Sequence, residues 1–318
     1  MAGVDEEMDE LTSSGPAGPR LQAVVAHPDD ETFGCGGLLL HAAASGYTTF
    51  VTCATRGEAG RDRSGRSGAE LGAVREEELR CAGELLGVAE VDLLGFADSG
   101  MVGPAPAGSL VGAELADVVD AIATSLRRVR PDVVVTLDAS DGHRDHERVR
   151  VATLQAATEV GVDVVYLSCL SQSLMRQWVE HMRAHEQDRQ HVREEMPVLG
   201  SPDHEISTLV DVHMHRAQLE VAMAAHASQD SPYDGLTDDL RDAFLDTARA
   251  RRVVPTWDGT SRERTLCRGV PSTTTPATGR TLDSLAVLAS RRHPHGTQCW
   301  WNHLQARWDC TNAADSPS

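Results

Sequence analysis

Residues 21–31 of the chain read LQAVVAHPDDE, a short apolar run that ends directly in one imidazole and three carboxylates. The apolar part, residues 21–26, is typical of a strand that is buried on both faces. Such strands belong to parallel sheets whose crossover helices cover both sides. The polar residues that follow, His27 to Glu31, therefore lie at the carboxyl end of a predicted strand.

Apolar runs and helical stretches alternate along the rest of the chain. Further strands are predicted at 49–53, 91–94, 133–137 and 164–167, with a strand-like run at 205–210. Apolar residues recur at helical spacing in 37–44, 69–86, 110–128, 146–159, 171–190 and 212 to about 227. This order of β-α-β units predicts an α/β fold of the Rossmann-like, doubly wound type, with a mostly parallel sheet and helices on both faces.

Composition divides the chain into three parts. Residues 1–20 are acidic and then rich in Gly, Pro and Ser, and we expect them to form a disordered lead-in. Residues 21–250 carry the alternating strands and helices and are expected to form one catalytic domain. Residues 251–318 are net basic and contain the run Pro-Ser-Thr-Thr-Thr-Pro at 271–276. They are treated as an extension of undetermined order and receive no functional assignment.

Composition also excludes several classes of partner. The 48 acidic residues outnumber 29 basic ones, all arginine, and the formal charge of −19 argues against nucleic acid and anionic membranes. No run of about 18 apolar residues is present for a membrane span. The seven cysteines form no C-x-x-C pair and are typical of free thiols in a reducing compartment. Because the acidic N-terminus lacks a secretory signal pattern, we expect a cytoplasmic protein.

The polar cluster at residues 27–31 is the first candidate site. An imidazole and several carboxylates placed together are costly without a cation, and Zn²⁺ accepts both kinds of ligand. A hydrolytic zinc site needs three protein ligands and one open position, and this loop could supply two of the ligands. Alternatively, the loop only caps the following helix, since carboxylates favour a helix N-terminus. The motif alone leaves both interpretations open.

Three glycines, Gly34, Gly36 and Gly37, follow this cluster and open a predicted helix. Their spacing does not match the G-x-G-x-x-G pattern of dinucleotide-binding loops. The favoured explanation is structural, because glycine allows a tight turn and close packing of a helix on the sheet.

A second polar cluster follows the strand predicted at 133–137. It reads DASDGHRDH over residues 138–146 and again mixes imidazoles with carboxylates. In a doubly wound sheet the first strand and a later one can flank the crevice where ligands bind. His27 and Asp30 could then meet either His143 or His146 at one metal ion. The alternative, two solvated histidines on the first turn of a helix, is disfavoured by the presence of the first cluster.

These motifs resemble those of the PIG-L, or LmbE-like, zinc N-deacetylases. The family's A-H-P-D-D-E signature is matched at Ala26–Glu31, and its later H-x-D-H motif at His143–His146. A third match, to D-V…K-x-x-A…H-x-S-Q, is in register at 211–229, with Arg216 where lysine is common. The resemblance covers about residues 21–235.

The resemblance implies that the metal ligands are His27, Asp30 and His146. Zinc is the expected cofactor, although Fe²⁺ or another divalent ion also suits one carboxylate and two imidazoles. Glu31 is expected to support these ligands by hydrogen bonding, as residues around a metal site do.

The resemblance also implies which residues act on the substrate. Asp29 matches the general base that takes a proton from the attacking water, and His143 matches the imidazole that stabilises the developing oxyanion. Family substrates are mostly N-acetylated amino sugars, so a small molecule of this kind is the expected partner. The predicted reaction removes an acetyl or other acyl group from the amide nitrogen of such a sugar or its conjugate.

Two alternatives stay open on the sequence. The metal site could cleave another amide, such as that of a thiol-sugar conjugate, or the chain could be a non-catalytic module that binds a sugar or a metal. Asp29 argues against the module, because zinc binding alone does not require a carboxylate beside the ligand. The sequence does not indicate the group attached to the sugar or the oligomeric state.

Overall fold

The computed structural model describes residues 18–185 and 198–267. Seven strands are found in this part of the chain: β1 Arg20–Val25, β2 Thr48–Cys53, β3 Glu90–Leu93, β4 Val133–Leu137, β5 Val164–Ser168, β6 Thr208–Asp211 and β7 Thr247–Val254. The α-helices of the same ranges are α1 Asp30–Phe33, α2 Gly36–Ala44, α3 Gly68–Leu86, α4 Leu115–Val129, α5 Arg144–Val160, α6 Gln172–His185, α7 Arg216–Ala224 and α8 Asp238–Leu245. Most of the predicted lead-in, and the predicted extension from residue 268 onward, lie outside the described residues.

The strands form one sheet in the order β3-β2-β1-β4-β5-β7-β6. Strands β1 to β5 are parallel, whereas β7 runs antiparallel to its neighbours β5 and β6. The chain moves outward from β1 to β3 and then places β4 on the other side of β1. The ligand-binding crevice expected of a doubly wound sheet therefore falls between β1 and β4. The predicted Rossmann-like, mostly parallel fold is confirmed.

Strand β1 shows that both faces of the sheet are covered. Leu21, Ala23 and Val25 belong to a core that includes side chains of α2, α3 and α7. Val24 and the adjacent Ala26 belong to a second core with side chains of α4 and α5. Residues that alternate along a strand point to opposite faces. The continuous apolar run of β1 is therefore explained by burial on both sides.

The longest described helix, α3, ends at Gly87, whose φ of 75° is a left-handed conformation that glycine adopts without strain. Its buried positions include Leu71, Arg75 and Leu79, which are spaced four apart and so lie on one face. Arginine is unexpected on such a face. None of the helices in the described ranges has the length and apolar composition needed to cross a bilayer.

Three predicted elements begin several residues later than expected. The helix predicted from residue 212 is α7, whose start is delayed by the 3-10 turn His213–His215. The helix predicted at 110–128 is α4, and it starts later because the chain turns at Gly112, where a side chain would collide with the carbonyl of Pro106. The strand predicted at 205–210 is β6, whose start is delayed by the 3-10 turn Asp203–Glu205.

Strand β7 and helix α8 have no counterpart among the predicted elements. β7 reads TARARRVV, and its arginines interrupt the apolar residues, although Ala250 is fully buried. The strand passes through residue 250, where the sequence placed the end of the domain. Beyond it, Glu263 accepts hydrogen bonds from the hydroxyls of Tyr166 and Thr208. The described fold therefore continues to Cys267.

Candidate active site

The structure brings the two predicted clusters together at the crevice between β1 and β4. The two strands are hydrogen-bonded neighbours, so the loops that follow them leave the sheet side by side. The ring centroid of His27 is 4.6 Å from that of His143 and 5.4 Å from that of His146. The rings of His143 and His146 stack at 4.5 Å. The three imidazoles thus form one compact group.

Asp30 lies between two of these imidazoles. Its Oδ1 atom is 3.3 Å from Nε2 of His146, and its Oδ2 atom is 3.7 Å from Nδ1 of His27. The same Oδ2 atom accepts hydrogen bonds from the backbone amides of Ala26 and His27, which fixes the carboxylate in place. The three residues expected to bind the metal are therefore neighbours in space.

His27 and His146 each contact a further carboxylate through the ring nitrogen that does not face Asp30. Nε2 of His27 is 3.2 Å from Oδ2 of Asp145, and Nδ1 of His146 is 2.6 Å from Oδ2 of Asp141. A carboxylate in this position holds a ring proton on the nitrogen that it contacts. The other nitrogen, which faces Asp30, is then the one available to bind a metal. The donor set of two oriented imidazoles and one carboxylate fits a divalent ion such as zinc.

Negative charge dominates this end of the cavity. Burial opposes protonation of His27, yet the carboxylates of Asp98, Asp145 and Asp30 raise its pKa to about 9. Burial likewise opposes protonation of His146, whose pKa the neighbouring carboxylates hold well above its ordinary value. A bound cation would displace these protons and neutralise the same carboxylates.

Among the described residues, two groups have ligand atoms that all lie within 4.8 Å of one another, and both overlap with the predicted set without being identical to it. One atom each from His27, His143 and His146 lies within 4.8 Å of the others, and the same holds for His27, Asp98 and Asp145. In the latter group His27 would have to use Nε2, the nitrogen that Asp145 holds. In the former, one nitrogen of His143 is already hydrogen-bonded to the backbone. The predicted set of His27, Asp30 and His146 would use Nδ1 of His27 instead of Nε2, and it does not include His143.

His143 differs from the other two imidazoles. It caps the N-terminus of α5, where its Nδ1 atom accepts a hydrogen bond of 3.1 Å from the backbone amide of Asp145. Because a backbone amide can only donate, the proton of the neutral ring is on Nε2. Burial, followed by the charges of His146 and His27, lowers the pKa of His143 well below its ordinary value. The neutral ring lines the cavity and has one N–H to donate.

Asp29 occupies the turn between β1 and α1 with a φ of 113°, a value that non-glycine residues rarely adopt. Its backbone amide donates to Oε2 of Glu31 at 2.8 Å, and its Oδ2 atom accepts a hydrogen bond of 3.0 Å from Arg75. Strained backbone persists only where its surroundings enforce it, as these contacts do. Burial raises the pKa of Asp29 to about 6, against the opposing charge of Arg75. The carboxyl can therefore exchange a proton near neutral pH.

Glu31 and His226 form a buried pair behind Asp29. Nε2 of His226 is 2.6 Å from Oε1 of Glu31, and both side chains are fully buried. Burial opposes protonation of His226, but the charge of Glu31 raises its pKa. Glu31 is expected to support the metal ligands by hydrogen bonding, but its carboxylate instead contacts the backbone amide of Asp29 and the ring of His226.

The close contacts at Gly34 and Gly36 confirm the structural explanation of these glycines. A Cβ at Gly36 would lie 2.5 Å from a methyl group of Leu219, and one at Gly34 would lie 2.8 Å from the carbonyl oxygen of Asp30. Neither position admits a side chain without movement of its surroundings. The glycines let α1 and α2 pack closely in the fold.

Arg75 belongs to the site but is missed by sequence reasoning. Its guanidinium donates to Asp29 and to the carbonyl of Gly57, and its side chain is buried. The available signal is the arginine at the position between Leu71 and Leu79 on the buried face of α3. A buried arginine requires partners, and the sequence does not show which ones.

The sequence of the chain is similar to those of known deacetylases. The family model of PIG-L, described as GlcNAc-PI de-N-acetylase, matches residues 22–157. A 1D-myo-inositol 2-acetamido-2-deoxy-alpha-D-glucopyranoside deacetylase of Geodermatophilus obscurus is 33% identical over 271 residues, covering 74% of this chain and 92% of that protein. The corresponding deacetylase 1 of Saccharopolyspora erythraea is 35% identical over 243 residues, covering 69% of this chain and 80% of that protein. The chain belongs to the PIG-L family.

The family membership inferred from the A-H-P-D-D-E and H-x-D-H motifs is thereby confirmed. Solved structures share the fold at lower identity. A deacetylase of the teicoplanin biosynthesis pathway has a TM-score of 0.52 at 23% identity, over 73% of this chain and 97% of that one. A 4-carboxy-2-hydroxymuconate hydratase from Pseudomonas putida KT2440 has a TM-score of 0.51 at 18% identity, over 75% and 98%. The hydratase carries a different reaction on this fold, so function in the PIG-L chain has to be argued from its site.

Proposed function

We propose that this PIG-L protein is a zinc-dependent hydrolase that removes the acyl group from the amide nitrogen of an N-acylated amino sugar or its conjugate. The observation that carries the proposal is the arrangement around Asp30. Two imidazoles turn one nitrogen each toward its carboxylate, while Asp141 and Asp145 hold the other nitrogens. The relatives named as deacetylases of an acetamido sugar linked to inositol support the substrate class.

His27, Asp30 and His146 are the residues that would hold the ion, through Nδ1, the carboxylate and Nε2 respectively. When bound, a zinc ion supplies a Lewis acid that activates a water molecule and polarises the amide carbonyl. Asp145 and Asp141 hold a ring proton on the nitrogen that each contacts, so a bound cation would have to displace only the proton on the nitrogen that faces Asp30. Fe²⁺ suits the same donors, and metal analysis of the purified protein distinguishes the two ions.

Asp29 is the proposed general base. Its carboxyl faces the cavity beside Asp30, and burial sets its pKa at about 6, close to the pH at which a general base works best. It accepts the proton of the water that attacks the acyl carbon. When the C–N bond breaks, the same proton passes to the leaving nitrogen, and the products are a carboxylic acid, which keeps the second proton of the water until it ionises, and a free amine. Arg75 holds the side chain in place through this cycle.

His143 is the proposed donor to the tetrahedral oxyanion. Its Nδ1 atom accepts from the backbone, so the neutral ring presents Nε2–H to the cavity. A preorganised donor of this kind contributes only as negative charge develops on the carbonyl oxygen. The lowered pKa of His143 agrees with a neutral donor rather than an imidazolium acid.

Metal analysis and amine release test the proposal together. The purified chain is expected to bind one zinc ion and to release amine from at least one member of a panel of N-acetylglucosaminyl compounds. Chelator should abolish this release, and added zinc should restore it. A chain that holds one zinc ion but cleaves no amide of the panel would leave a metal-binding module and exclude the deacetylase.

A further inference from the structure

The motif matched at residues 211–229 reaches the metal site through its last part, the H-x-S-Q stretch at 226–229. Earlier in the motif, ion pairs hold Arg216 to Glu220 on α7 and to Asp242 on α8. His226 lies elsewhere, with its Nε2 atom 2.6 Å from Oε1 of Glu31 on α1. The motif thus contributes one side chain to the surroundings of the metal-site loop.

The H-x-S-Q stretch is anchored to other parts of the fold. The backbone amide and the hydroxyl of Ser228 donate to the carboxylate of Glu78 on α3, at 2.8 and 2.7 Å. Nε2 of Gln229 donates to the carbonyl of Arg61 at 2.8 Å. The segment that carries His226 is therefore held in place by contacts that do not involve α1.

Glu31 links His226 to the backbone of Asp29. An ionised carboxylate can only accept hydrogen bonds, so Oε1 accepts from Nε2 of His226 and Oε2 from the amide of Asp29. The side chains of Glu31 and His226 are fully buried, and neither lines the cavity. Because they do not reach the substrate, any effect that they have on the reaction passes through Asp29.

The strained backbone of Asp29 depends on its surroundings. Its φ of 113° and ψ of −29° lie outside the regions that residues with a side chain adopt freely, and such a conformation persists only where several contacts enforce it. The carbonyl of Asp29 accepts from the amides of Thr32 and Phe33, and its amide donates to Glu31. A fixed carbonyl and a fixed amide together set the direction of the side chain between them.

Asp30 is held by a separate set of contacts. Its carboxylate accepts hydrogen bonds from the backbone amides of Ala26 and His27, at 3.2 and 2.8 Å. These bonds involve neither Glu31 nor His226. Loss of the buried pair should therefore disturb the proposed general base more than the neighbouring metal ligand.

We infer that His226 is a positioning residue for the general base: it holds Glu31, and Glu31 holds the amide of Asp29 in the turn that directs its carboxyl into the cavity. The inference rests on the proposed function, because it takes Asp29 as the group that accepts the proton of water. The alternative is a buried pair that contributes to stability alone. The two differ in whether kcat depends on the hydrogen bond from His226.

Two substitutions of His226 in the zinc-loaded full chain separate these roles. His226→Leu removes the donor to Glu31, whereas His226→Gln keeps an amide N–H near the place of Nε2. His226→Leu should lower kcat for an N-acetylglucosaminide by about ten- to a hundredfold, the cost of displacing a catalytic group by about 1 Å. Its KM and zinc content should stay within about twofold of the wild type. His226→Gln should recover most of the lost rate.

Tyr166→Phe is the matched control for the loss of a buried hydrogen bond to a carboxylate. Tyr166 is fully buried, its hydroxyl donates to Glu263 at 3.0 Å, and it does not line the cavity. The substitution should lower the stability of the fold and leave kcat at the wild-type value. If His226→Leu is as fast as this control, the inference is overturned.

Hydrogen exchange of the Asp29 amide, followed by NMR, gives a readout that does not depend on turnover. The amide should be protected in the wild type, should exchange at least about tenfold faster in His226→Leu, and should stay protected in His226→Gln. If His226→Leu does not fold, the wild-type protein still tests the inference. An unprotected Asp29 amide there would show that Glu31 does not hold it.

Each remaining outcome has a distinct meaning. A fall in kcat with unchanged protection of the Asp29 amide would overturn the inference, as would a His226→Gln protein as slow as His226→Leu. If the wild type cleaves no amide, the proposed function fails. Hydrogen exchange then decides the inference by itself, because protection lost in His226→Leu and kept in His226→Gln would uphold the positioning of Asp29, and equal protection would overturn it.

Discussion

Oδ2 of Asp141 lies 2.6 Å from Nδ1 of His146, and Oδ1 of the same carboxylate accepts a hydrogen bond of 3.0 Å from the backbone amide of His143. One side chain thus positions both histidines of the H-x-D-H motif. The opposite nitrogen of His146 faces Asp30. Asp141 therefore orients the ring of a proposed metal ligand, and the orientation is testable without an activity assay.

Substitution of Asp141 should weaken zinc binding about ten- to a hundredfold, the range for losing a carboxylate behind a ligating histidine. In Asp141→Asn the amide N–H would face Nδ1 of His146 and shift the ring proton to Nε2, the nitrogen proposed to bind zinc. Asp141→Asn should therefore be at least as damaging as Asp141→Ala. Chelator competition measures the affinity, and Asp163→Asn, at an exposed position, is the control. Wild-type affinity in both Asp141 variants would contradict the role.

His143→Ala should lower kcat by about ten- to a thousandfold while the chain keeps one zinc ion, because the lost group is a donor to the transition state. His146→Ala should instead empty the site. Metal content and kcat are measured on both proteins. If His143→Ala loses the metal and His146→Ala retains it, the two histidines have been assigned in the wrong order.

The sequence predicts the position of the two polar clusters well, because each cluster directly follows a strand that can be recognised from its own residues. His27 to Glu31 follow a strand whose burial on both faces is evident from its composition, so their place at the crevice follows from the parallel sheet. The second cluster is placed by the same argument from β4. Because the two strands are adjacent, the two clusters meet as expected.

The role of Arg75 and the existence of strand β7 could not be predicted, because both depend on contacts between residues that are far apart in the sequence. The sequence contains Arg75, but its contact with Asp29 depends on how α3 lies across the loop after β1. Strand β7 reads as an arginine-rich segment, and it is placed in the sheet by pairing with β5 and β6, with Ala250, Val253 and Val254 buried. Tertiary context can therefore place residues in a strand even when their intrinsic preference for that conformation is weak. The predicted domain end at residue 250 follows from missing this strand.

Glu263 tests whether the residues after β7 belong to the fold. Its carboxylate accepts hydrogen bonds from Tyr166 at 3.0 Å, Thr208 at 2.7 Å and Arg252 at 2.7 Å, and so joins β5, β6 and β7. Glu263→Ala should lower the free energy of unfolding by about 1–3 kcal/mol, since buried hydroxyls lose their acceptor. Denaturant titration measures this loss, and Glu84→Ala, at an exposed position on α3, is the control.

A pair of truncations extends the same test. A chain that stops after residue 252 loses the end of β7 together with Glu263, whereas one that stops after Cys267 keeps all of these contacts. The shorter chain should unfold at a clearly lower denaturant concentration than the longer one. Equal stability of the two would show that the domain ends near residue 250 after all.

Asp29 and Asp30 are neighbours with different proposed roles, so their variants should fail in different ways. Asp30→Ala removes a ligand and should weaken zinc affinity substantially, with activity that excess zinc partly restores. Asp29→Asn keeps the size and polarity of the side chain but cannot accept a proton. Its zinc should stay bound while kcat falls by about two to four powers of ten.

The two variants together distinguish a catalytic role from a metal-binding role at this motif, because one should lose metal and the other should lose rate. Metal content should fall only in Asp30→Ala, and added zinc should rescue only that variant, because Asp29→Asn already holds its ion. The strained φ of 113° at Asp29 makes a folding check necessary, and circular dichroism of both proteins provides it. Turnover near the wild-type rate by a folded, zinc-loaded Asp29→Asn protein would remove the general base from the mechanism and require another group of the cavity to take the proton.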